Sequence, residues 1–316
     1  MSEFLPPTSS PITLQPGTLW QRILDRTEHA LHCGALHSIQ TDYEFIEQAN
    51  VRFLVRISRN VARKIAAKKQ EEQKKTLTGK DFNPFLPYEE DLFVADISNT
   101  HLCLLNKFNV VDYHLLIITR AFEEQDTWLT LADFEALWAC LAEYDGLAFY
   151  NGGSLAGASQ RHKHLQLIPL PMVPGDLPLP IAPLLMNAIP TVSSTTLATT
   201  LAGFPFVNGF TRLDLDLSQS SLSAPMVLYQ SYQTLLQQVG LCVRDRALTH
   251  QSPGAYNLLV TRAWMLIVPR SQESFESISV NALGFAGSLF ARDQDQMQQL
   301  KAYGPMNLLL KVAIPG

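Results

Sequence analysis

The sequence predicts an α+β fold, with antiparallel sheets flanked by helices and two related halves in one chain. Three observations indicate this architecture. Short apolar runs between residues 92 and 119 are typical of successive strands. The stretch 131–144 has the periodicity of a helix with one apolar face. The segment YHLLIITR of the first half returns as YNLLVTR in the second, each followed by alanine and an aromatic residue, as a duplicated unit would give.

The elements of the first half follow from the spacing of apolar residues. The range 18–36 is predicted to be a helix, because Leu19, Ile23, Ala30 and Leu31 fall near one face. The strands predicted in this half are 51–57, 92–95, 101–105, 114–119, 147–150 and 165–168.

A proline-rich stretch over 169–190, followed by residues dominated by serine and threonine, is the predicted boundary between the halves. We therefore divide the chain into a flexible N-terminal tail (1–17), a first half (18–190) and a second half (191–316). The second half is predicted to contain strands at 206–213, 256–261 and 264–268, a helix at 224–239, a further apolar run at 282–291 interpreted mostly as core strand, and two short closing helices.

Composition is that of an ordinary globular protein, with 47% hydrophobic and 17% charged residues. The net charge of -5 gives no general attraction to nucleic acid or to an anionic membrane, so neither is expected as a partner. We expect a cytoplasmic protein, because residues 1–18 lack the features of a signal peptide and no apolar stretch is long enough to span a bilayer. The four cysteines form no Cys-x-x-Cys pair and are interpreted as free, buried thiols.

The most informative segment is HKHLQ, residues 162–166, directly after a glycine-rich loop. Alternate residues of a strand share a face, so His162, His164 and Gln166 should line one surface while Leu165 and Leu167 pack behind them. Loop glycines let backbone N–H groups approach an anion, and neutral imidazole can attack phosphorus. The pattern favours nucleotidyl or phosphoryl transfer. A metal site is disfavoured because no nearby Asp, Glu or Cys completes a ligand set, and two surface histidines remain the plain alternative.

The motif and several other segments resemble the diadenosine tetraphosphate (Ap4A) phosphorylase, or ATP adenylyltransferase, family of the histidine-triad (HIT-like) superfamily. The resemblance extends from about residue 50 to the C-terminus. The segments that carry it are GASQRHKHLQLIPLP, NPFLP (83–87), LNKFNV (105–110), HLLIIT (114–119), DFEALW (133–138), YNLL (256–259), VPR (268–270) and NALGFAG (281–287).

The resemblance implies that His164 is the nucleophile and forms a nucleotidyl-histidine. His162 is then expected to orient the ring of His164 by a hydrogen bond. Gln166 stands where many histidine-triad hydrolases carry a histidine. An amide can hold a phosphate oxygen but cannot act as an acid at neutral pH, so Gln166 favours transferase over hydrolase.

Further contacts with substrate are carried over from the family by position. Asn106 and Lys107 are expected to touch the nucleotide, although Asn106 could equally cap a strand end. Lys64 is the expected polyphosphate lysine, with Lys68 and Lys69 as rivals and a solvated helix face as the plain alternative. The remaining expected contacts are Asn151, Gly157, Ala158, Ser159, Gln160, Asn281, Ala282, Leu283, Ser288 and Arg292, the last two at positions where the family often has methionine and lysine.

The reaction that the resemblance implies is reversible phosphorolysis of Ap4A by phosphate to ATP and ADP. The alternatives are phosphorolysis of a nucleoside diphosphate sugar, hydrolysis of dinucleoside polyphosphates, and nucleotide sensing without turnover. No protein-bound metal or cofactor is expected, and Mg²⁺ would only accompany the polyphosphate. The second half has no HxHxQ of its own, so one chain would mimic a symmetric dimer, and we expect a monomer.

Overall fold

The computed structural model describes residues 11–58, 83–172, 177–188, 198–213, 215, 223–241 and 254–316. The basic run that contains Lys64, Lys68 and Lys69 lies outside the described residues, as do residues 173–176 and 189–197 around the predicted boundary. None of the helices within these ranges is long and apolar enough to cross a membrane.

Two helix ends show how the sequence sets the limits of a helix. The first, α1, stops at Gly34, which has a φ of 75° and donates its N–H to the carbonyl of Leu31. The second, α2, starts with a reciprocal capping box between Thr130 and Asp133. The helices are α1 (Leu19–Cys33), α2 (Leu131–Leu141), α3 (Ala182–Asn187), α4 (Ala224–Gln238), α5 (Ala282–Phe285), α6 (Gln294–Tyr303) and α7 (Pro305–Val312).

The strands agree with the predicted ones to within a few residues, except that residues 41–48, 274–275 and 278–279 also form strands and that the run over 282–291 is corrected below. They are β1 (Thr41–Gln48), β2 (Val51–Ser58), β3 (Phe93–Asp96), β4 (His101–Leu105), β5 (Leu115–Thr119), β6 (Gly146–Gly152), β7 (His164–Pro169), β8 (Gly209–Arg212), β9 (Tyr256–Val260), β10 (Trp264–Pro269), β11 (Ser274–Phe275), β12 (Ile278–Ser279) and β13 (Ser288–Ala291).

Eight of these strands form one sheet, in the order β3-β4-β5-β7-β6-β9-β10-β8, and every neighbouring pair is antiparallel. The strands of the two halves meet at the β6–β9 pair, where Asn151 lies opposite Asn257. The fold is therefore α+β as predicted, and the sheet is continuous across the halves.

A repeated β-α-β-β unit is visible on the two sides of the β6–β9 pair. β5, α2, β6 and β7 of the first half occupy places equivalent to β8, α4, β9 and β10 of the second. The YHLLIITR and YNLLVTR segments lie on β5 and β9, which are not equivalent places in this arrangement. The two degenerate halves are present, but the similarity of those two segments does not mark equivalent positions in them.

A second sheet joins chain segments that are distant in sequence. Its order is β1-β2-β13, and β13 pairs in parallel with β2. β1 was not predicted, because its sequence TDYEFIEQ is mostly polar and its residues are exposed or half-buried. The predicted strand over 282–291 is also corrected, because the short helix α5 occupies its first part and only β13 is extended.

The large sheet is covered on both faces. Side chains of α1, α2 and α4 form one hydrophobic core against it, and side chains of β2, α5, α6 and α7 form another on the opposite face. Leu31, expected on the buried face of α1, is 52% exposed because the helix turns it away from the sheet. Cys33 is exposed rather than buried, whereas Cys103 and Cys140 are buried as predicted.

Candidate active site

The HKHLQ segment enters the sheet as expected from strand alternation. His164 and Gln166 lie on one face of β7, and Leu165 and Leu167 belong to the core formed with the helices on the other. His162 stands just before the strand, in an isolated antiparallel bridge with Glu124. All three predicted catalytic side chains are buried, so they lie in a largely desolvated part of the molecule.

The hydrogen bonds of His164 define its tautomer. Its Nδ1 lies 2.8 Å from the main-chain carbonyl oxygen of His162. A carbonyl oxygen can only accept, so Nδ1 carries the proton and Nε2 keeps its lone pair. Burial lowers the pKa of His164 to about 4, so the imidazole is neutral at pH 7. The ring thus has the protonation state that a nucleophile needs.

His162 was expected to orient the ring of His164 by a hydrogen bond, and the group that makes this contact is the main-chain carbonyl of residue 162. The carbonyl dipole would also stabilise positive charge on this imidazole.

Gln125 holds the main chain around His164, a role that no sequence motif indicates. Its side-chain Oε1 accepts from the His164 N–H at 2.7 Å, and its Nε2 donates to the carbonyls of His164 and Asn151 at 3.1 and 3.0 Å. The amide is buried and these three hydrogen bonds are all to main chain, so it ties β6 and β7 together at His164.

His162 is held by Asn83, the first residue of the NPFLP segment. Its Nε2 lies 2.8 Å from the Thr119 carbonyl oxygen and therefore donates, so Nδ1 accepts from Nδ2 of Asn83 at 3.0 Å. The orientation of the Asn83 amide is fixed in turn, because its Oδ1 accepts from the Phe85 N–H at 3.0 Å. The Phe85 ring then packs edge-on against His162 and His164, with centroid distances of 5.5 and 5.4 Å.

Gln166 is held by a second chain of hydrogen bonds, which runs from Phe108 through Asn106 and His114. Its Oε1 lies 3.0 Å from Nε2 of His114, whose Nδ1 lies 3.1 Å from Nδ2 of Asn106. Asn106 Oδ1 accepts from the Phe108 N–H at 3.3 Å, so its Nδ2 donates to His114 and the opposite ring nitrogen of His114 donates to Gln166. Burial lowers the pKa of His114 to about 4, so His114 is neutral.

The second chain has a chemical consequence for Gln166. Its carbonyl oxygen is engaged by His114, so the amide group presents its NH₂ end as a donor. Asn106, expected to touch the nucleotide, uses both polar atoms of its side chain inside this chain of hydrogen bonds. His114 was not among the predicted site residues. The signal for it was the recurrence of Asn-x-Phe, as Asn83-Pro84-Phe85 and as Asn106-Lys107-Phe108.

The glycine-rich loop is shaped by its own hydrogen bonds. The N–H groups of Gly157 and Ala158 donate to the carbonyls of Ser154 and Gly153. Gly157 has a φ of +88°, and a Cβ there would come within 2.8 Å of the Val280 carbonyl oxygen, so only glycine fits against this part of the second half. Ser159 is exposed and Gln160 is half-buried, which leaves the donors of their side chains accessible from solvent.

Asn151 links this loop to the second half. Its Oδ1 accepts from Nδ2 of Asn257 and from the N–H of Ala282, both at 2.9 Å. The N–H of Leu283 donates to Oδ1 of Asn281, the N-cap of α5. The structure therefore brings the predicted residues Asn151, Gly157, Asn281 and Ala282 together, with the main-chain donors of Ala282 and Leu283 engaged inside the protein.

Three other predicted contacts have neighbours outside the hydrogen-bonded groups around His164: they are Lys107, Ser288 and Arg292. Lys107 pairs with Glu89 at 2.5 Å on the surface. Ser288 is buried at the start of β13, opposite Leu54 of β2. Arg292 is half-exposed and pairs with Asp293 at 2.9 Å.

An ionic cluster surrounds the buried Lys163 on the helix side of the sheet. Lys163, between the two histidines, points to the helix side of the sheet, where its Nζ lies 2.5 Å from Glu123 and 3.5 Å from Asp133. Burial alone would raise the pKa of Asp133, but the hydrogen bond from His101 and the charge of Lys163 outweigh it and hold that pKa below its usual value. Since Lys163 is 1% exposed, these contacts fix which way the strand faces.

Comparison with known proteins gives the site its context. Residues 9–187 match the family model of the Ap4A phosphorylase N-terminal domain, and residues 202–315 match that of the ATP adenylyltransferase C-terminal domain. Diadenosine tetraphosphate phosphorylase 2 of Saccharomyces cerevisiae is 27% identical over 313 residues, covering 89% of this chain and 90% of that protein. Protein APA1 of the same yeast is 25% identical over 310 residues, with 90% of each chain covered.

The fold is also similar to that of a solved structure. The crystal structure of yeast Ap4A phosphorylase Apa2 matches with a TM-score of 0.75 at 23% sequence identity, covering 96% of both chains. The two family models together span both halves of the chain, and the first alone covers more than half of it. The chain therefore belongs to the Ap4A phosphorylase family.

Proposed function

We propose that this protein is an Ap4A phosphorylase, a nucleotidyltransferase that converts Ap4A and inorganic phosphate to ATP and ADP. The observation that carries the proposal is the state of His164, a buried and neutral imidazole whose Nδ1–H is fixed on a carbonyl and whose Nε2 is a lone-pair donor. Support also comes from the family and from the similar fold of Apa2, which has been solved in complex with Ap4A and with AMP.

In the first step, His164 Nε2 attacks the α-phosphorus of Ap4A. A nitrogen–phosphorus bond forms, the bond from that phosphorus to the bridging oxygen breaks, and ATP leaves with the electron pair on its terminal phosphate. The Nδ1–H bond to the His162 carbonyl stabilises the positive charge on the ring. His114 engages the carbonyl oxygen of Gln166, so the Gln166 NH₂ group donates to an oxygen on the α-phosphorus while the adenylyl group is transferred.

In the second step, an oxygen of inorganic phosphate attacks the same phosphorus. The nitrogen–phosphorus bond breaks, ADP is released and the His164 lone pair is restored. Two in-line displacements give net retention at phosphorus. Neither step needs a proton from the protein, because the leaving group and the incoming phosphate are both anionic, and Gln166 is suited to this task although it cannot transfer protons.

The surroundings of the nucleophile favour phosphate over water. Water would need a general base, and the two other histidines near His164 are occupied: His162 between Asn83 and Thr119, and His114 between Asn106 and Gln166. We expect Mg²⁺ only as part of the polyphosphate substrate. We also expect a monomer, because the two halves already meet in one sheet.

Product analysis tests the proposal. Wild-type protein is incubated with Ap4A, with and without phosphate, and compared with His164→Ala. ATP and ADP in equal amounts only with phosphate, and no turnover by the variant, is the expected result. Ap4A left intact by the wild-type protein would overturn it, and GDP-hexose or ADP-hexose with phosphate would then be assayed.

A trapping experiment tests the intermediate separately. Without phosphate, labelled Ap4A should transfer one labelled adenylyl group per chain and release a matching burst of ATP. The quench must be alkaline, because phosphoramidate bonds are labile in acid. Turnover without a protein-bound label, or a label that persists in His164→Ala, would contradict attack by His164.

A further inference from the structure

The outer face of α1 carries a set of side chains that the active site does not use. Asp25, Glu28, His29, His32 and Cys33 are spaced at i, i+3, i+4, i+7 and i+8, so they fall on one face of the helix. Four of them, all but Cys33, line a shallow surface depression. Such a concentration of ligand-type side chains has no role in packing, because this face of α1 is turned to solvent.

A neighbouring segment completes the group with a carboxylate. Asp91, in the 3₁₀ turn Glu90–Leu92, lies with its Oδ1 2.8 Å from His29 Nε2. The ligand atoms of His29, Cys33 and Asp91 all lie within 4.8 Å of one another, and within the described ranges no other three His, Cys, Asp or Glu side chains meet in this way. The group contains one nitrogen, one sulfur and one oxygen donor from two separate elements.

We propose that His29, Cys33 and Asp91 bind a divalent transition-metal ion of the zinc class. Zinc–ligand distances of about 2.0–2.3 Å in a tetrahedron place ligand atoms about 3.3–3.8 Å apart, so small side-chain movements suffice to close this group. A thiolate together with an imidazole selects zinc, cobalt or cadmium over magnesium and calcium. Three protein ligands leave the fourth position for water or for the adjacent His32.

Binding changes the protonation of the group in a defined way. The Cys33 thiol must lose its proton, so metal uptake releases a proton. His29 Nε2, which now donates its N–H to Asp91, must give up that hydrogen and present a lone pair to the metal. The hydrogen bond between His29 and Asp91 is replaced by two metal bonds. Exposed pairs of this kind contribute little by themselves, so little is lost in the exchange.

The metal would connect α1 to the segment that supports the active site. Asp91 belongs to the same stretch, 83–92, as Asn83 and Phe85, which contact His162 and His164. The start of α1 is already held by Glu143, whose carboxylate accepts from the N–H groups of Gly17 and Leu19. A bound ion would fix the other end of the helix and raise the melting temperature.

Cobalt absorption tests the proposal without any nucleotide or catalytic readout. The full-length protein, freed of metal with a chelator and kept in phosphate-free buffer, is titrated with Co²⁺. We expect a thiolate-to-cobalt charge-transfer band that saturates at one ion per chain and is displaced by Zn²⁺. Zn²⁺ alone should raise Tm by several degrees when it is in about hundredfold excess over its dissociation constant.

Variants assign the ligands. Cys33→Ala should abolish the charge-transfer band, and Asp91→Asn should weaken cobalt binding at least about tenfold, as loss of one charged ligand does. Cys242→Ala is the matched cysteine control and should keep the band. No band in the wild-type protein, or a band that survives in Cys33→Ala, would overturn the proposal.

Discussion

Two chains of hydrogen bonds flank His164, and they begin alike and end differently. In each, the N–H of a phenylalanine donates to an asparagine two residues earlier, and the asparagine NH₂ donates to Nδ1 of a buried histidine. The chain through His162 ends on the main-chain carbonyl of Thr119. The chain through His114 ends on the side-chain amide of Gln166.

The difference shows how the same local motif can serve structure or chemistry. A carbonyl in a strand has a fixed position, so the His162 chain can only hold the loop and Phe85 in place. The amide of Gln166 has two ends of opposite character, so the His114 chain decides which end meets the substrate. We therefore expect the first chain to matter for stability and the second for the rate of reaction.

In this comparison, the largest expected effects on kcat come from substitutions of Gln166 and His114. Gln166→Leu should lower kcat by about 10²–10³, the usual cost of losing one donor to a developing oxyanion. His114→Phe keeps the ring volume but removes the donor to Gln166, so it should lower kcat by a similar factor. Because His114 acts through Gln166, the double variant should be no slower than Gln166→Leu alone.

His162→Phe combined with Gln166→Leu is the control for this double-mutant cycle. Its two effects should multiply, because the His162 chain does not pass through Gln166. Multiplicative loss in the His114→Phe, Gln166→Leu pair would show that His114 acts on the reaction by another route.

A smaller contrast is expected between the two asparagines. Asn106→Leu should reduce kcat about tenfold with little change in KM, because His114 then loses the donor that fixes its tautomer. Asn83→Leu should instead lower Tm by a few degrees, since each buried polar group left unpaired costs about 1–3 kcal/mol. Steady-state kinetics and thermal melts of both variants distinguish the chains. Equal losses of kcat would remove the distinction.

The smallest effect concerns pH. With a pKa of about 4, His164 stays neutral on acidification to pH 5.5, whereas a histidine with a pKa of about 6.5 would be about nine-tenths protonated there. The single-turnover rate of ATP release from Ap4A should therefore change less than about twofold between pH 7.5 and 5.5. Ap4A has no terminal phosphate that titrates in this range. A tenfold decline would contradict a neutral, buried nucleophile.

The sequence predicted the elements that depend on local pattern. Strand alternation placed His164 and Gln166 on one face with Leu165 and Leu167 behind, and apolar periodicity located α2 and α4. The exceptions have local causes as well. Asn281 is an N-cap signal and Gly287 has a positive φ, and together they break the apolar run into α5 and β13.

The connections between distant residues were not predictable in the same way. Nothing in the spacing of residues 83 and 162 indicates that Asn83 meets His162, or that Gln125 clamps the main chain of His164. Such contacts arise only once the strand order of the sheet is known. Asn106 shows the same limit, because the sequence pattern does not indicate its hydrogen bond to His114.

The meeting of β6 and β9 in one sheet also has an evolutionary consequence. When two identical subunits build such a sheet, every mutation appears in both, and neither active site can be lost without the other. A single gene that encodes both units removes this constraint. Here β10 presents Trp264, Leu266 and Val268 to the hydrophobic core on the face where β7 presents His164 and Gln166. Two units in one chain thus leave one free to serve as a scaffold while the other carries the histidine motif.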